Sequence, residues 1–300
     1  VGGPTPKGGG VGGRVAFMRV WPVLQATGGQ AVLSASSVMT GAALLLLCGV
    51  SWLDDVYQWP PSIKFAAQCA AAGLVAEGGI AIAWPTPLTG AILSALWLVF
   101  ICNAVNFMDG LNGLVAGCLL VAGLGVAAFA TTLGVPEATA PALLLACCLA
   151  GFLPFNFPHA RIFLGDVGSQ GCGRLAGTGA LYVARHTSLP SGWLFGPIVL
   201  APLAYDVLFT LIRRKLAGHS LIQAHRGHLY QILHRSGVSA PAISAMEWAF
   251  TAWSGGAACA IAFLPPRTGL IAATALVLPP QLAWTAYAIV RTRRHTVGTW

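Results

Sequence analysis

The chain has 300 residues, of which 56% are hydrophobic and 8% charged, with mean hydropathy +0.76 and formal net charge +8. A soluble globular chain carries about 25% charged residues, so this composition excludes a soluble domain and points to an integral membrane protein. In so apolar a chain the surplus of Lys and Arg belongs to cytoplasmic loops rather than to nucleic-acid binding, and no nucleic-acid partner is expected.

Residues 1–13, VGGPTPKGGGVGG, read as a Gly/Pro-rich loop without an initiating Met, and no signal peptide is expected. Membrane spans follow at 32–53, 65–84, 88–107, 113–133, 139–157, 171–187, 192–212, 246–264 and 269–290. A weaker tenth at 10–27 is interrupted by Arg14 and Arg19, and the span at 171–187 carries Arg174. Continuous apolar runs suit helices better than alternating strands. The expected fold class is therefore all-α: one polytopic bundle of about nine to ten transmembrane helices over residues 1–300. All eight cysteines lie in apolar context without metal-type spacing and read as small core residues.

Sidedness follows from the cations. Arg213, Arg214, Lys215, Arg226 and Arg235 share one loop, and Arg291, Arg293 and Arg294 share the C-terminal tail. The positive-inside rule makes that side cytoplasmic. Working back span by span places 54–64, 103–112, 156–169 and 225–228 on the same face. The opposite face keeps only Arg185 and Arg267 as cations.

The chain has only eight acids, and Asp54, Asp55, Asp109 and Asp166 fall in those cytoplasmic stretches. Carboxylates at the membrane edge usually face a cavity and serve a function. A cluster of them suits a hard cation such as magnesium, which takes few protein ligands and keeps several waters. Lys64, His225, Arg226 and His228 supply cations and donors for phosphate oxygens. Together they suit phosphoryl transfer, where positioning and charge neutralisation dominate, and the location implies that one substrate is a lipid.

Within ICNAVNFMDGLNGLVAG (101–117), Asn103, Asn106, Asp109 and Asn112 recur every three residues, one side of a helix if the helix continues. Within FNFPHARIFLGDVGSQG (155–171), Asn156 precedes Asp166, which sits among glycines that admit a close phosphate or metal. Asp166 is the favoured metal ligand. AHRGHLYQIL (224–233) places His225 and His228 around Arg226, which also fits a basic segment touching anionic lipid. Asp206, in PLAYDVLF, fits the same cavity or a partner helix equally well. Glu77 and Glu247 join no cluster.

Taken in order, PTPKGGG, LDD with the later Lys64 and Gln68, NAVNFMDGLNGL, FNFPHARIFLGDVGS and HRGHLYQ resemble the polyprenyl-phosphate N-acetylhexosamine-1-phosphate transferases over almost the whole chain. HRGHLYQ looks more like the O-antigen-initiating branch than the peptidoglycan translocase. The resemblance implies that a polyprenyl phosphate, such as undecaprenyl phosphate, attacks the β-phosphate of a UDP-N-acetyl sugar. UMP leaves, and a lipid-linked cell-envelope glycan is started. It implies a magnesium requirement, with manganese as a substitute, an active site facing the cytoplasm of a bacterial inner membrane, and a possible homodimer.

By that resemblance Asp54, Asp55 and Asp109 are catalytic, and Asp166 with Asp55 holds the metal. Lys64, Asn103, Asn106, Asn112, Asn156, His225, Arg226 and His228 bind substrate. A phosphate nucleophile is already ionised near neutral pH, so the Asp54–Asp55 pair suits positioning or metal binding better than general-base work. Three features depart from the family: the usual first membrane helix is expected to be missing, Asn112 stands where Asp is common, and QGCGRLAGTGAL with Arg174 replaces a clean apolar helix. Two other readings are a proton-coupled transporter, which needs acids at mid-span, and a truncated, inactive relative.

Overall fold

The computed structural model describes Arg19 and residues 34–83, 85–220 and 226–294. Among them every regular element is a helix. The long ones are α1 (Ala35–Tyr57), α2 (Pro61–Glu77), α3 (Pro87–Met108), α4 (Leu114–Thr132), α5 (Pro136–Asn156) and α6 (Gly165–His186). After a 3-10 turn at Gly192–Leu194 come the short α7 (Phe195–Val199), α8 (Ala201–Leu216), the short α9 (Leu229–Arg235), α10 (Ala240–Ile261) and α11 (Pro266–Arg294).

Local chemistry sets several of these boundaries. Ser34 and Thr86 accept backbone N–H groups at the starts of α1 and α3. Gln58 ends α1 in the left-handed region at φ 51°, and extended Pro60 then presents Pro61 as the first residue of α2. The chain thereby reverses within three residues, bringing the end of α1 beside the start of α2.

Among the described residues five helices, α1, α3, α4, α5 and α11, are long and apolar enough to cross a membrane, or six if the segments at Gly192–Val199 and Ala201–Leu216, bent by 73°, form one span. This corrects the expected nine to ten. The 65–84 run becomes α2, whose 17 residues reach only about 26 Å, short of a hydrocarbon core of about 30 Å. The 192–212 run is broken at Leu200, and the 246–264 run lies in α10, which buries Ser244, Glu247, Thr251 and Ser254 against protein. The 10–27 candidate and the PTPKGGG loop lie outside the described residues apart from Arg19.

The 171–187 stretch is the largest correction. Its glycines and Arg174 do not interrupt the helix: α6 is continuous, and every residue from Val167 to Val183 is buried. It packs against α1, α3, α4 and α5. A Cβ on Gly177 would lie 2.7 Å from Ile101 Cγ2, so the small residue is what lets α3 approach. A helix surrounded by protein needs no lipid-facing side chains, so its low apolarity is no obstacle. Arg174 is fully buried and donates from Nη2 to the Gln68 carbonyl at 2.9 Å.

All eight cysteines are free thiols. Cys102, Cys118 and Cys172 are buried as expected, but Cys69 and Cys147 are exposed on the outer faces of their helices.

Candidate active site

The ends of α1, α3 and α5 and the starts of α2, α4, α6 and α10 meet at one end of the bundle. Here side chains of α2 and α6 meet in matching order. Lys64 Nζ donates to Asp166 Oδ2 at 2.9 Å, and one turn further Gln68 Nε2 donates to Gln170 Oε1 at 3.2 Å. Both pairs join residues 102 apart, so the i,i+4 spacing on one helix is read against the same spacing on the other. Lys64 also forms an ion pair with the buried Asp54. Burial alone would lower the Lys64 pKa, but the hydrogen bonds and charges of Asp54 and Asp166 outweigh it and raise it above the ordinary value. Asp55, the next residue on α1, is exposed.

The asparagine series does not continue as one helix. α3 ends at Met108, Asp109 is its C-cap, and Gly113 turns at φ 74°. Asn103 and Asn106 therefore stand on the helix, while Asp109 and Asn112 belong to the turn after it. Asn103 exchanges hydrogen bonds with Gln68, at 2.6 Å from its own Nδ2 and 3.2 Å from Gln68 Nε2. Asn106 accepts from the Ser169 hydroxyl at 2.7 Å. Asn156 accepts from Gly113 N–H at 2.7 Å and donates to the Ile162 carbonyl at 2.9 Å, while Asn112 donates to the Pro158 carbonyl at 3.1 Å. These last two tie the α3–α4 and α5–α6 loops together as well as facing the space between them.

That space is a cavity of about 270 Å³ lined by Asn106, Asp109, Gly110, Leu111, Asn112, Asn156, Phe163, Gly165 and Asp166. Two carboxylates from different loops thus share one concave site. Burial, and then the charge of Asp166, push the Asp109 pKa up to about 7. Like charges sharing one concave site disfavour double ionisation, and a divalent cation is the group that would relieve this. Magnesium is commonly held by one or two carboxylates with substrate phosphates and water completing its shell, so Asp109 and Asp166 fit it. Among the described residues no cluster of three metal-ligating side chains exists, and Asp55 is not among the residues lining the cavity.

The basic segment approaches from another side. His228 is buried and its ring stacks on Phe107, centroids 6.2 Å apart, beside Asn106. Tyr230 Oη donates to the Phe107 carbonyl at 3.0 Å. Gly110 must lack a side chain here, because a Cβ would fall on the Tyr230 hydroxyl. Arg226 is exposed, and its carbonyl accepts from Arg235 at 2.9 Å. His225 lies outside the described residues. Arg213 and Arg291 donate to the carbonyls of Gly227 and Ser236, tying the C-terminal ends of α8 and α11 to the segment around α9.

Asp206 does not line the cavity. It accepts from His228, from two backbone N–H groups and from Thr210. Gln68 and Gln170 were not among the expected site residues. Their signal was available: Lys64–Gln68 and Asp166–Gln170 are both polar i,i+4 pairs in the first turns of their helices.

The sequence matches the family described as Glycosyl transferase family 4 over residues 37–184. It is 30% identical to the decaprenyl-phosphate N-acetylglucosaminephosphotransferase of Mycolicibacterium smegmatis, over 92% of this chain and 76% of that protein. It is 32% identical to the protein of the same description from Mycobacterium leprae, over 84% and 69%. It is 28% identical to a probable undecaprenyl-phosphate N-acetylglucosaminyl 1-phosphate transferase of Bacillus subtilis, over 76% and 66%.

Proposed function

The chain belongs to the polyprenyl-phosphate N-acetylglucosamine-1-phosphate transferases of glycosyl transferase family 4, and from that premise we propose that this multi-pass membrane enzyme transfers N-acetylhexosamine-1-phosphate from a UDP-sugar to a polyprenyl phosphate, releasing UMP. The carrying observation is the pair Asp109 and Asp166 facing one cavity with the Lys64 ammonium on Asp166. Acids grouped at helix ends support this reading over a mid-span proton relay.

Two anionic phosphates must meet for the reaction to occur, and their repulsion dominates the barrier. In this reading Asp109 and Asp166 hold magnesium, or manganese in its place, which supplies neutralisation of the diphosphate when bound. Lys64 keeps Asp166 oriented and adds positive charge at the cavity edge. Asn106, Asn112 and Asn156 shape the floor that receives the nucleotide end, Arg226 donates to phosphate oxygens, and His228 contacts a sugar hydroxyl. Asp54 places Lys64, and Asp55 on the exposed end of α1 meets the polyprenyl phosphate arriving from the lipid. No base is required, because the attacking phosphate oxygen is already anionic at neutral pH. The site faces the cytoplasm of a bacterial inner membrane, where UDP-sugars are made, and the product begins an envelope glycan.

The test is UMP release by membranes carrying this chain, supplied with undecaprenyl phosphate, magnesium and UDP-N-acetylglucosamine, then with other UDP-N-acetyl sugars. Magnesium-dependent release with labelled sugar phosphate entering lipid supports the reading. Silence with every sugar sinks it for this chain and favours an inactive relative.

A further inference from the structure

We propose that Asp206 is a positioning residue for the transfer reaction, its carboxylate fixing the tautomer and ring orientation of His228. This rests on the function proposed above, in which His228 contacts substrate oxygens.

Asp206 lies in α8 and is 1% exposed. A carboxylate so far from water must have its lone pairs satisfied by donors, and four are supplied. His228 Nδ1 and Leu229 N–H lie 3.0 Å from Oδ1, Thr210 Oγ1 lies 3.2 Å from it, and Tyr230 N–H lies 3.1 Å from Oδ2. Two of the four are backbone N–H groups at the start of α9, which a capping role alone would explain. The contact to the imidazole goes beyond capping.

The chemistry of that contact is directional. A carboxylate that accepts from two backbone N–H groups and a hydroxyl serves as acceptor toward the ring as well, and Nδ1 then carries the hydrogen. In the neutral ring this leaves Nε2 as the acceptor nitrogen, and it directs the ring's chemistry to Nε2. The ring plane is set from both sides: Asp206 holds one edge, and Phe107 and Tyr230 stack at 6.2 and 5.9 Å between centroids. Phe107 adjoins Asn106, which lines the cavity, and the Tyr230 hydroxyl bonds the Phe107 carbonyl. Asp206 thus holds an imidazole stacked on Tyr230, whose hydroxyl lies against Gly110 of the cavity lining, from a position that itself never reaches the cavity. Thr210, one helical turn further along α8, holds the carboxylate rotamer in turn. The arrangement resembles the way carboxylates orient metal-ligating histidines, where their loss typically costs about 10- to 100-fold in metal affinity or activity.

The experiment is a four-corner cycle in purified, lipid-reconstituted enzyme: wild type, Asp206→Asn, His228→Ala and the double variant, each measured for kcat, KM and thermal midpoint. The expected result is that Asp206→Asn lowers kcat by about 10- to 100-fold with little change in KM, and that it costs almost nothing further once His228 is Ala. An equal loss in both backgrounds makes Asp206 a structural cap only and overturns the proposal. If Asp206→Asn does not fold, ¹⁵N spectra of histidine-labelled wild type, assigned with His228→Ala, decide instead. At a pH where the ring is neutral, His228 must be the Nδ1–H tautomer, and the Nε2–H tautomer overturns the proposal. A His228→Ala enzyme within about twofold of wild type overturns the substrate role of the ring and with it that of Asp206. Failure of the wild type to release UMP is distinct from all of these, because it appears before any substitution and sinks the proposed function itself.

Discussion

Lys64 Nζ stands 2.9 Å from Asp166 Oδ2 while also pairing with Asp54, so one ammonium joins α1, α2 and α6 at the mouth of the site. Its raised pKa means that this contribution is complete below the ordinary lysine value of 10.5 and fades only as pH climbs through the higher folded value. The ion pairs therefore hold across the neutral range.

Lys64→Met is expected to destabilise the protein by roughly 1–3 kcal/mol, after discounting for water at this partly exposed ammonium. It leaves the Asp54 carboxylate, 8% exposed, without its counter-charge. A thermal midpoint equal to that of wild type shows the pairs to be energetically idle. Transfer activity should fall with stability, and Lys64→Arg should recover stability more fully than activity, because the guanidinium fork does not replace a compact ammonium.

Asp166→Asn is expected to reduce magnesium-dependent UMP release by at least about 100-fold without unfolding the bundle, since its carboxylate is partly exposed. Release within tenfold of wild type at saturating magnesium would falsify a ligand role for this residue.

Asp109 makes metal-free stability depend on pH. Unfolded, it titrates near 3.8; folded, near 7. Below pH about 4 both states are protonated and nothing is lost. Between the two values folding takes up a proton, so stability declines as pH rises. Above pH about 7 the penalty is complete, no more than about 4 kcal/mol by the size of the shift. The thermal midpoint without divalent cation should thus fall from pH 5.5 to 8 more steeply in wild type than in Asp109→Asn. Magnesium should reduce the difference at pH 8. Parallel profiles for the two proteins contradict this account.

Arg174→Met is expected to leave the thermal midpoint unchanged or raise it. Nε and Nη1 of Arg174 are buried without hydrogen-bond partners, which is costly for a charged group. Its one bond goes to the carbonyl of Gln68, a residue inside α2 whose carbonyl also serves the helix. A marked drop in the midpoint would show that the guanidinium anchors α2 to α6.

Much of this protein could be read from its residues in order. Eight percent charge over 300 residues already points to a membrane, and continuous apolar runs then select helices over the alternating strands of a barrel. The grouping of Asp54, Lys64, Asp109, Asn156 and Asp166 at one end followed from counting spans, because each sits where an apolar run stops. What the order of residues could not decide is which helices meet lipid and which meet protein. α6, expected as a span despite Arg174, is instead enclosed by protein, because burial depends on neighbours rather than on a helix's own composition. The pairings of Gln68 with Gln170 and of Asp206 with His228 were likewise settled only by the tertiary structure. A hydrogen bond between helices is a matter of ångströms, and only packing brings side chains from distant positions in the chain to that range.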